Sequence, residues 1–525
     1  MLRSFQDFVK ALTLFPSKNE AVYVPRKTIG NDYDKLFSII RKGHHGKDED
    51  VAKELYPAND AKALTRYFTT KSRLKDRIES AFFFLDTEKM LPAEADEYGL
   101  WKEMLLVWVF LRIGANETAL FRLEKLLETA QRLGLTDIEL MTLERIRDIH
   151  AEAGSMLLAK KFHTLAGAVL ERKSVEFRLR GALAEADVHK ARETLLPDTL
   201  REYCEKTVKA SQNLHSASPT LQTRILLAKA ECFAAEARGS YGAAMRTLTN
   251  LTDDLQRTYS YDLDSTIAKQ QLPYALALRD AKGSEAALRR ALKGLHPEMP
   301  ETLRAYEYAF VTAFQANAWQ TAQTLWLEAL KTPAFERFSD TDIHVRWRLY
   351  EVYLRFFLPQ REQDFRPTLF KPRFAATKVS EEILQFASNA PTFNTEHLRI
   401  SLAIAELMRS ASLGKTEDFK RTVQILLSFQ EKYLRKDAPN YRLQCWLRML
   451  ETAQTVNFDY DETVQKTSKY TERLTDARVW DTVRLQTLEL LPYDHAWKLV
   501  LRTLKHLHAA PSAPLSPFEV LRTAE

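Results

Sequence analysis

Gly239-Ser240-Tyr241-Gly242-Ala243-Ala244-Met245 decides the fold. A glycine that can adopt left-handed backbone geometry stops one helix. An aromatic two residues on plugs the turn. A small alanine at the fifth position lets the next helix backbone come close. The same layout returns at Gly114 with Ala119, at Gly154 with Ala159, and at Asn317 with Trp319 and Ala322. With Gly283 added, these markers stand 40, 85, 44 and 34 residues apart. That is a quasi-period near 40 with one marker missing, as in tetratricopeptide-like repeats. The expected fold is all-α: an α-solenoid of degenerate tetratricopeptide-like helix pairs with an N-terminal helical cap.

Composition agrees. Only 14 glycines in 525 residues leave little for the turns and phosphate loops of β or doubly wound folds. Hydrophobic residues make up 45%, enough for a core, and charged residues 28%. A net charge of +6 over this length does not mark a nucleic-acid binder, though local clusters still could. Cys204, Cys232 and Cys445 are odd in number, far apart and set in apolar helical patterns, so buried free thiols in a reducing compartment are expected. Met1 to Phe15 has no uninterrupted apolar run, and the longest one, Met104 to Leu111, falls far short of the ~20 residues a membrane span needs. A soluble, cytoplasmic chain without membrane contact is expected.

The organisation read along the chain is a helix and linker over 1–32, a small helical unit over 33–92, and a repeat array over 93–358. A Pro-rich loop at 359–378, a second array at 379–510 and a flexible tail at 511–525 follow. In the array, helices are expected at Ala93–Ile113, Asn116–Leu133, Asp137–Ala153, Ala243–Arg257, Ser265–Lys282 and Ser284–Leu295, among others. The pattern from Ser155 to about Thr194 is unusually long, and Gly181 could bend or break it.

In the small unit, Asp48 is expected to cap a short helix through Leu55, and Asn59 or Asp60 a longer one to about Leu85. Tyr67, Leu74, Ile78, Ala81, Phe82 and Leu85 share one arc of that helix. Lys62, Arg66, Arg73 and Arg77 lie within about 60° on another. The stretch DEDVAKELYPANDAKALTRYFTTKSRL (48–74) resembles a helix-turn-helix unit of the kind that precedes helical repeats in some bacterial transcriptional activators. The resemblance implies that Lys62, Arg66, Arg73 and Arg77 face nucleic acid. No strand-turn-strand wing follows, and a helical cap with a solvated basic face explains the same pattern.

The C-terminal half is similar to a group of bacterial tetratricopeptide-like proteins without assigned activity. The likeness rests on EKYLRKDAPNYRLQCWLRML (431–450), FDYDETVQKTSKYTERL (458–474) and LELLPYDHAWKLVLRTL (488–504). It implies the fold and carries no catalytic residues.

No motif for a phosphate loop, a metalloprotease, a serine nucleophile or a dinucleotide site is present. His44-His45 lies in a polar turn with no third metal ligand at helical spacing. Asp148, His150 and Glu152 point to different helix faces. Asp494-His495, with His506 and His508, reads as a solvated basic end. No cofactor, metal or catalysis is expected. Phe365, Phe370 and Phe374 alternate with Arg366, Lys371 and Arg373 in the Pro-rich loop, a pattern for packing, for single-stranded nucleic acid or for an acidic protein. The tryptophans, Trp101 and Trp108 included, fall mostly on apolar stripes and are expected in the core. Arg346, Arg348, Tyr350, Tyr353 and Arg355 alternate around one helix and form the candidate wall of a groove for a protein or peptide. The expected function is a non-enzymatic scaffold binding its partner on a concave face; the alternative is a DNA-binding regulator.

Overall fold

In the computed structural model of the chain, Gly239 has φ 67° and Ser240 N–H donates to the Ala235 carbonyl at 2.8 Å. This is the Schellman closure, in which a left-handed residue turns the chain back onto the helix it ends. The same six-to-one bond recurs after Gly114, Gly134, Gly154, Arg279, Asn317 and Asn457, all at positive φ. Two corrections follow. Gly134 was not among the expected markers, although its turn is built the same way. Gly283 is not a turn residue: it lies inside a helix, where its N–H is held by the Asp280 carboxylate at 2.9 Å, and Arg279 takes the left-handed position. Gly239, Arg279 and Asn317 then stand 40 and 38 residues apart.

The small residue at the fifth position has the expected role. Ala119, Ala159, Ala244, Ser284 and Ala322 are all buried. After Asn457 the position moves one residue on, to buried Thr463, because Phe458 is left-handed as well. The exception is Glu139, five residues after Gly134. Its carboxylate accepts from Arg172 Nη2 at 3.1 Å and from Gln131 Nε2 at 3.1 Å.

The structure describes residues 5, 9, 32–42, 47–56, 63–81, 85–87, 90–192, 197–256, 261–337, 342–357, 395–412, 416–433, 441–475 and 490–507. Among them there are twenty-one α-helices, one 3-10 turn and no strand. The Pro-rich loop 359–378, His44-His45, Lys62, Phe82-Phe83-Phe84 and the tail 511–525 lie outside the described residues. Contacts divide the chain into two compact units, Met1–Phe177 and Arg178–Glu525.

In the first unit, α1 (Asp32–Lys42), α2 (Asp48–Leu55) and α3 (Ala63–Ala81) pack on one another. Tyr67, Leu74 and Ile78 of α3 are buried against Leu36, Val51, Ala52 and Leu55, with Phe5 and Val9 closing the cluster. α3 ends at Ala81, so Leu85 is not helical. Asp48 does not cap α2, because Lys47 holds the cap position without a side-chain bond. α4 (Pro92–Arg112), α5 (Asn116–Leu133) and α6 (Thr136–Glu152) pack as neighbours across Gly114 and Gly134. α7 (Met156–Arg192) is one continuous helix of 37 residues through Gly167 and Gly181, about 55 Å long. The division between the units falls within it.

The second unit contains α8 (Pro197–Ala217), α9 (Leu221–Ala237), α10 (Tyr241–Gln256), α11 (Tyr261–Leu278), α12 (Ala281–Ala291), α13 (Pro300–Gln315) and α14 (Trp319–Leu330). The helix expected over 265–282 stops at Leu278 because of the Arg279 turn. Packing runs in neighbouring pairs, and α11 also lies on α13. α10 shows why: Ala244, Leu248 and Leu251 are buried at helical spacing while Arg246, Thr249 and Asn250 are exposed. A short α15 (Pro333–Arg337), missed in the sequence, precedes α16 (Asp342–Phe357). α17 (Thr395–Ser412), α18 (Thr416–Tyr433), α19 (Tyr441–Thr455), α20 (Tyr460–Thr475) and α21 (Tyr493–Leu507) follow. One apolar cluster joins α11 to α21, with Trp326, Trp347, Trp446 and Trp497 at its centre. Cys204, Cys232 and Cys445 are buried and outside any disulfide, as expected. No described helix is long and apolar enough to cross a membrane.

Candidate functional site

The basic arc of α3 is the first candidate. Arg66 and Arg73 are exposed, while Arg77 is half-buried with its guanidinium 4.5 Å from the Tyr33 ring centroid. Lys62 lies outside the described residues. The fold uses a further cation of this helix internally: Lys71 Nζ and Tyr67 OH both reach Asp48 Oδ1 at 2.5 Å. Burial pushes the Asp48 carboxyl up, but the bonds from Lys71 and Tyr67 and the Lys71 charge outweigh it and hold it below the usual carboxylate range. Tyr67 is pushed well above an ordinary phenol, first by burial and then by Asp48. Among the described cations of the arc, Arg66 and Arg73 are the two that are exposed.

The second candidate, on α16, is turned inward. Tyr350 and Tyr353 are 3% and 1% exposed, so they cannot form a groove wall. Tyr350 OH donates to Glu307 Oε1 at 2.5 Å, where Arg346 Nε also donates at 2.7 Å. Tyr353 OH donates to the Ser401 carbonyl at 2.9 Å. Burial first, and then Glu307, raises the Tyr350 phenol well above its ordinary range. Arg348 is half-buried, and the side chain of Arg355 lies outside the described residues. Alternating Arg and Tyr suggested an exposed side, but α14 and α17 both pack on α16. The aromatics fill that space while Arg346 covers a buried carboxylate.

A third cluster, expected at a solvated end, is largely buried. Asp494 and His495 have side chains only 15% and 17% exposed. Asp494 Oδ1 accepts from Arg279 Nη2 at 3.3 Å and lies 3.9 Å from Arg442 Nη2. Burial lowers the His495 pKa, and the nearby charges of Arg279 and Lys498 lower it further against the pull of Asp494.

These clusters share one chemistry. Asp48 is matched by Lys71, Glu139 by Arg172, Glu307 by Arg346 and Asp494 by Arg279. Each carboxylate is neutralised in place and holds helices together. Asp148 pairs with Arg147 while the His150 ring stacks on Phe162, so that alternating trio does not converge. Among the described residues, no three His, Cys, Asp or Glu side chains lie where they could hold a metal ion.

Exposed apolar side chains are the feature that sequence reading missed. Of 20 large ones among the described residues, 15 lie between Trp101 and Val188. Trp101 and Trp108 are among them, a correction to their expected place in the core. α4 is apolar on several sides, so its stripe of Leu100, Met104 and Val107 suffices for burial and leaves the tryptophans outside. No protein-family model matches this chain, and no curated protein matches it either.

Proposed function

We propose that the chain is a non-enzymatic scaffold that binds another protein, built as an α-solenoid of tetratricopeptide-like pairs with residues 33–92 as its N-terminal cap. The observation that carries this reading is the concentration of exposed apolar side chains on α4 to α7. Isolated apolar residues on a surface need no explanation, but 15 of 20 gathered along four successive helices support an interaction region there. The partner therefore meets α4–α7 rather than the expected wall at Arg346–Arg355, whose tyrosines are internal. A photo-cross-linker at Phe121 or Phe177, both exposed, should capture one recurrent protein from native lysate. The same probe at Arg304 or Arg421, exposed positions on α13 and α18, should not. Equal, diffuse capture at all four sites would refute the reading.

A second reading is kept for one observation, the exposed pair Arg66 and Arg73 on α3. It makes the chain a DNA-binding regulator. Duplex binding that falls steeply with salt and disappears when both arginines become Glu would support it. Absence of binding at low salt would end it.

A further inference from the structure

Along α4, Glu94, Tyr98, Trp101, Leu105, Trp108 and Arg112 recur at alternating spacings of four and three residues. At 100° per residue they lie within an arc of about 80°. A neighbouring face of the helix, with Leu100, Met104 and Val107 about 80–140° round from the middle of that arc, is buried in the first unit. The stripe therefore flanks the packed face. Trp101, Leu105 and Trp108 are 44%, 48% and 52% exposed, Glu94 and Arg112 are exposed, and Tyr98 is half-buried. The outer stripe has heptad spacing; Leu85 meets it at Tyr98, donating its N–H to the Tyr98 hydroxyl at 3.2 Å, while Trp101, Leu105 and Trp108 are exposed.

Its charges say which occupant fits. The seam is acidic at its first turn, apolar and aromatic in the middle, and basic at its last turn. A second copy laid antiparallel about a two-fold axis at Glu103 brings Arg112 opposite Glu94 of the second copy. The same register sets Leu105 against Trp101 and Trp108 against Tyr98 across the axis. Every position of the stripe meets its complement, as an isologous contact requires. A parallel pairing would set Arg112 on Arg112 and Glu94 on Glu94, which like charges oppose. The helix dipole favours the same charge placement within one helix, but it gives no reason for two tryptophans and a leucine to face water. We infer that the chain forms a homodimer through an antiparallel pairing of the outer faces of α4. This goes beyond the scaffold reading and leaves the partner α5–α7, where the cross-linking positions Phe121 and Phe177 lie outside the dimer contact.

A single helix pair is a small interface, so the association belongs at the weak end of specific contacts. Sedimentation equilibrium of the full chain over about 1–100 μM covers the corresponding affinity range. The expected result is a monomer–dimer equilibrium that Arg112→Glu weakens at least about tenfold, the cost of placing like charges across the contact. Glu94→Arg should weaken it comparably, and the double variant Glu94→Arg/Arg112→Glu should restore it. Glu94 also accepts from Leu91 N–H at 3.2 Å, so its replacement alone could loosen the start of the helix. Restoration in the double variant separates charge pairing from that effect, and Leu105→Ala gives a charge-independent check. A chain that is monomeric throughout overturns the proposal, as does a dimer indifferent to both reversals. So does a monomer whose Trp101 and Trp108 are shielded from a soluble quencher, since another segment of the same chain would then cover the seam.

Discussion

Arg279 Nη2 donates to Asp494 Oδ1 at 3.3 Å, across 215 residues of sequence. Arg279 ends α11 with φ 53°, a backbone geometry that favours glycine, and Asp494 opens α21. The pair explains the arginine: a residue poorly suited to its backbone is kept where its guanidinium meets a largely buried carboxylate. It also ties the first and last helices of the large apolar cluster together, which stacking between neighbours alone would not do.

Two substitutions at Arg279 separate these effects. Ala loses the ion pair and keeps the left-handed strain, while Gly loses the pair and relieves the strain. Arg279→Gly should therefore be less destabilising than Arg279→Ala by about 1 kcal/mol. Arg442, 3.9 Å from Asp494, limits the loss of the pair itself to about 1–2 kcal/mol. Urea unfolding midpoints measure both, and equal midpoints would show that the backbone carries no strain.

The same reasoning sorts the glycines. Gly239 has φ 67° and open space where a Cβ would stand, so Gly239→Ala is opposed by backbone geometry alone and should cost about 1–2 kcal/mol. Gly181 lies within α7 with equally open space and ordinary φ. Gly181→Ala should stabilise by about 0.5–1 kcal/mol, through helix propensity and a less flexible unfolded chain. Ala322, fully buried after the Asn317 turn, should tolerate no enlargement: Ala322→Leu should cost about 1–3 kcal/mol by overpacking. Thermal unfolding of the three variants gives the order, and a stabilising Gly239→Ala would contradict the turn assignment.

Glu307 tests whether the α13–α16 cluster is structural. Glu307→Ala strands the Tyr350 hydroxyl in the core and removes the partner of Arg346, at a cost of about 3–5 kcal/mol. Glu307→Gln keeps an oxygen acceptor for Tyr350 and should lose roughly half as much. If the two variants are equally stable, the buried carboxylate is not what holds α16 to α13.

The recurring turn was legible because turn chemistry is local. Glycine or asparagine, an aromatic and a small residue leave a mark that survives without neighbours. Arg279 left none, because its reason for being there is an aspartate at the far end of the unit. Gly134 was overlooked for a related cause: the small residue that should follow it is Glu139, made tolerable by Arg172 one helix further on. The sites were less legible than the turns. Helical periodicity says that α4 and α16 are apolar but not which side finds a neighbour. Trp101 and Trp108 were assigned to the core and face water, while Tyr350 and Tyr353 were assigned to a surface and are buried. Composition is shared between a core and a contact face, and only the placement of neighbouring helices tells them apart.

His495 makes the Arg279–Asp494 cluster sensitive to pH. Its Nδ1 is buried without a hydrogen-bond partner among the described residues, and burial with the charges of Arg279 and Lys498 depresses its pKa. The unfolded chain, whose histidine titrates near the ordinary value of about 6.5, therefore takes up the proton before the folded chain does. Stability is present in full above that value and declines as pH falls from it through the lower folded value. The unfolding midpoint should drop as pH falls below about 6.5, and His495→Gln should flatten that part of the profile. Arg279→Gly removes one of the depressing charges, so its profile should be shallower than that of the wild type although its stability at neutral pH is lower. An unchanged acid slope in His495→Gln would place the sensitivity elsewhere, with the Asp48 carboxylate, held low by Lys71 and Tyr67, as the next group to test by the same measurement.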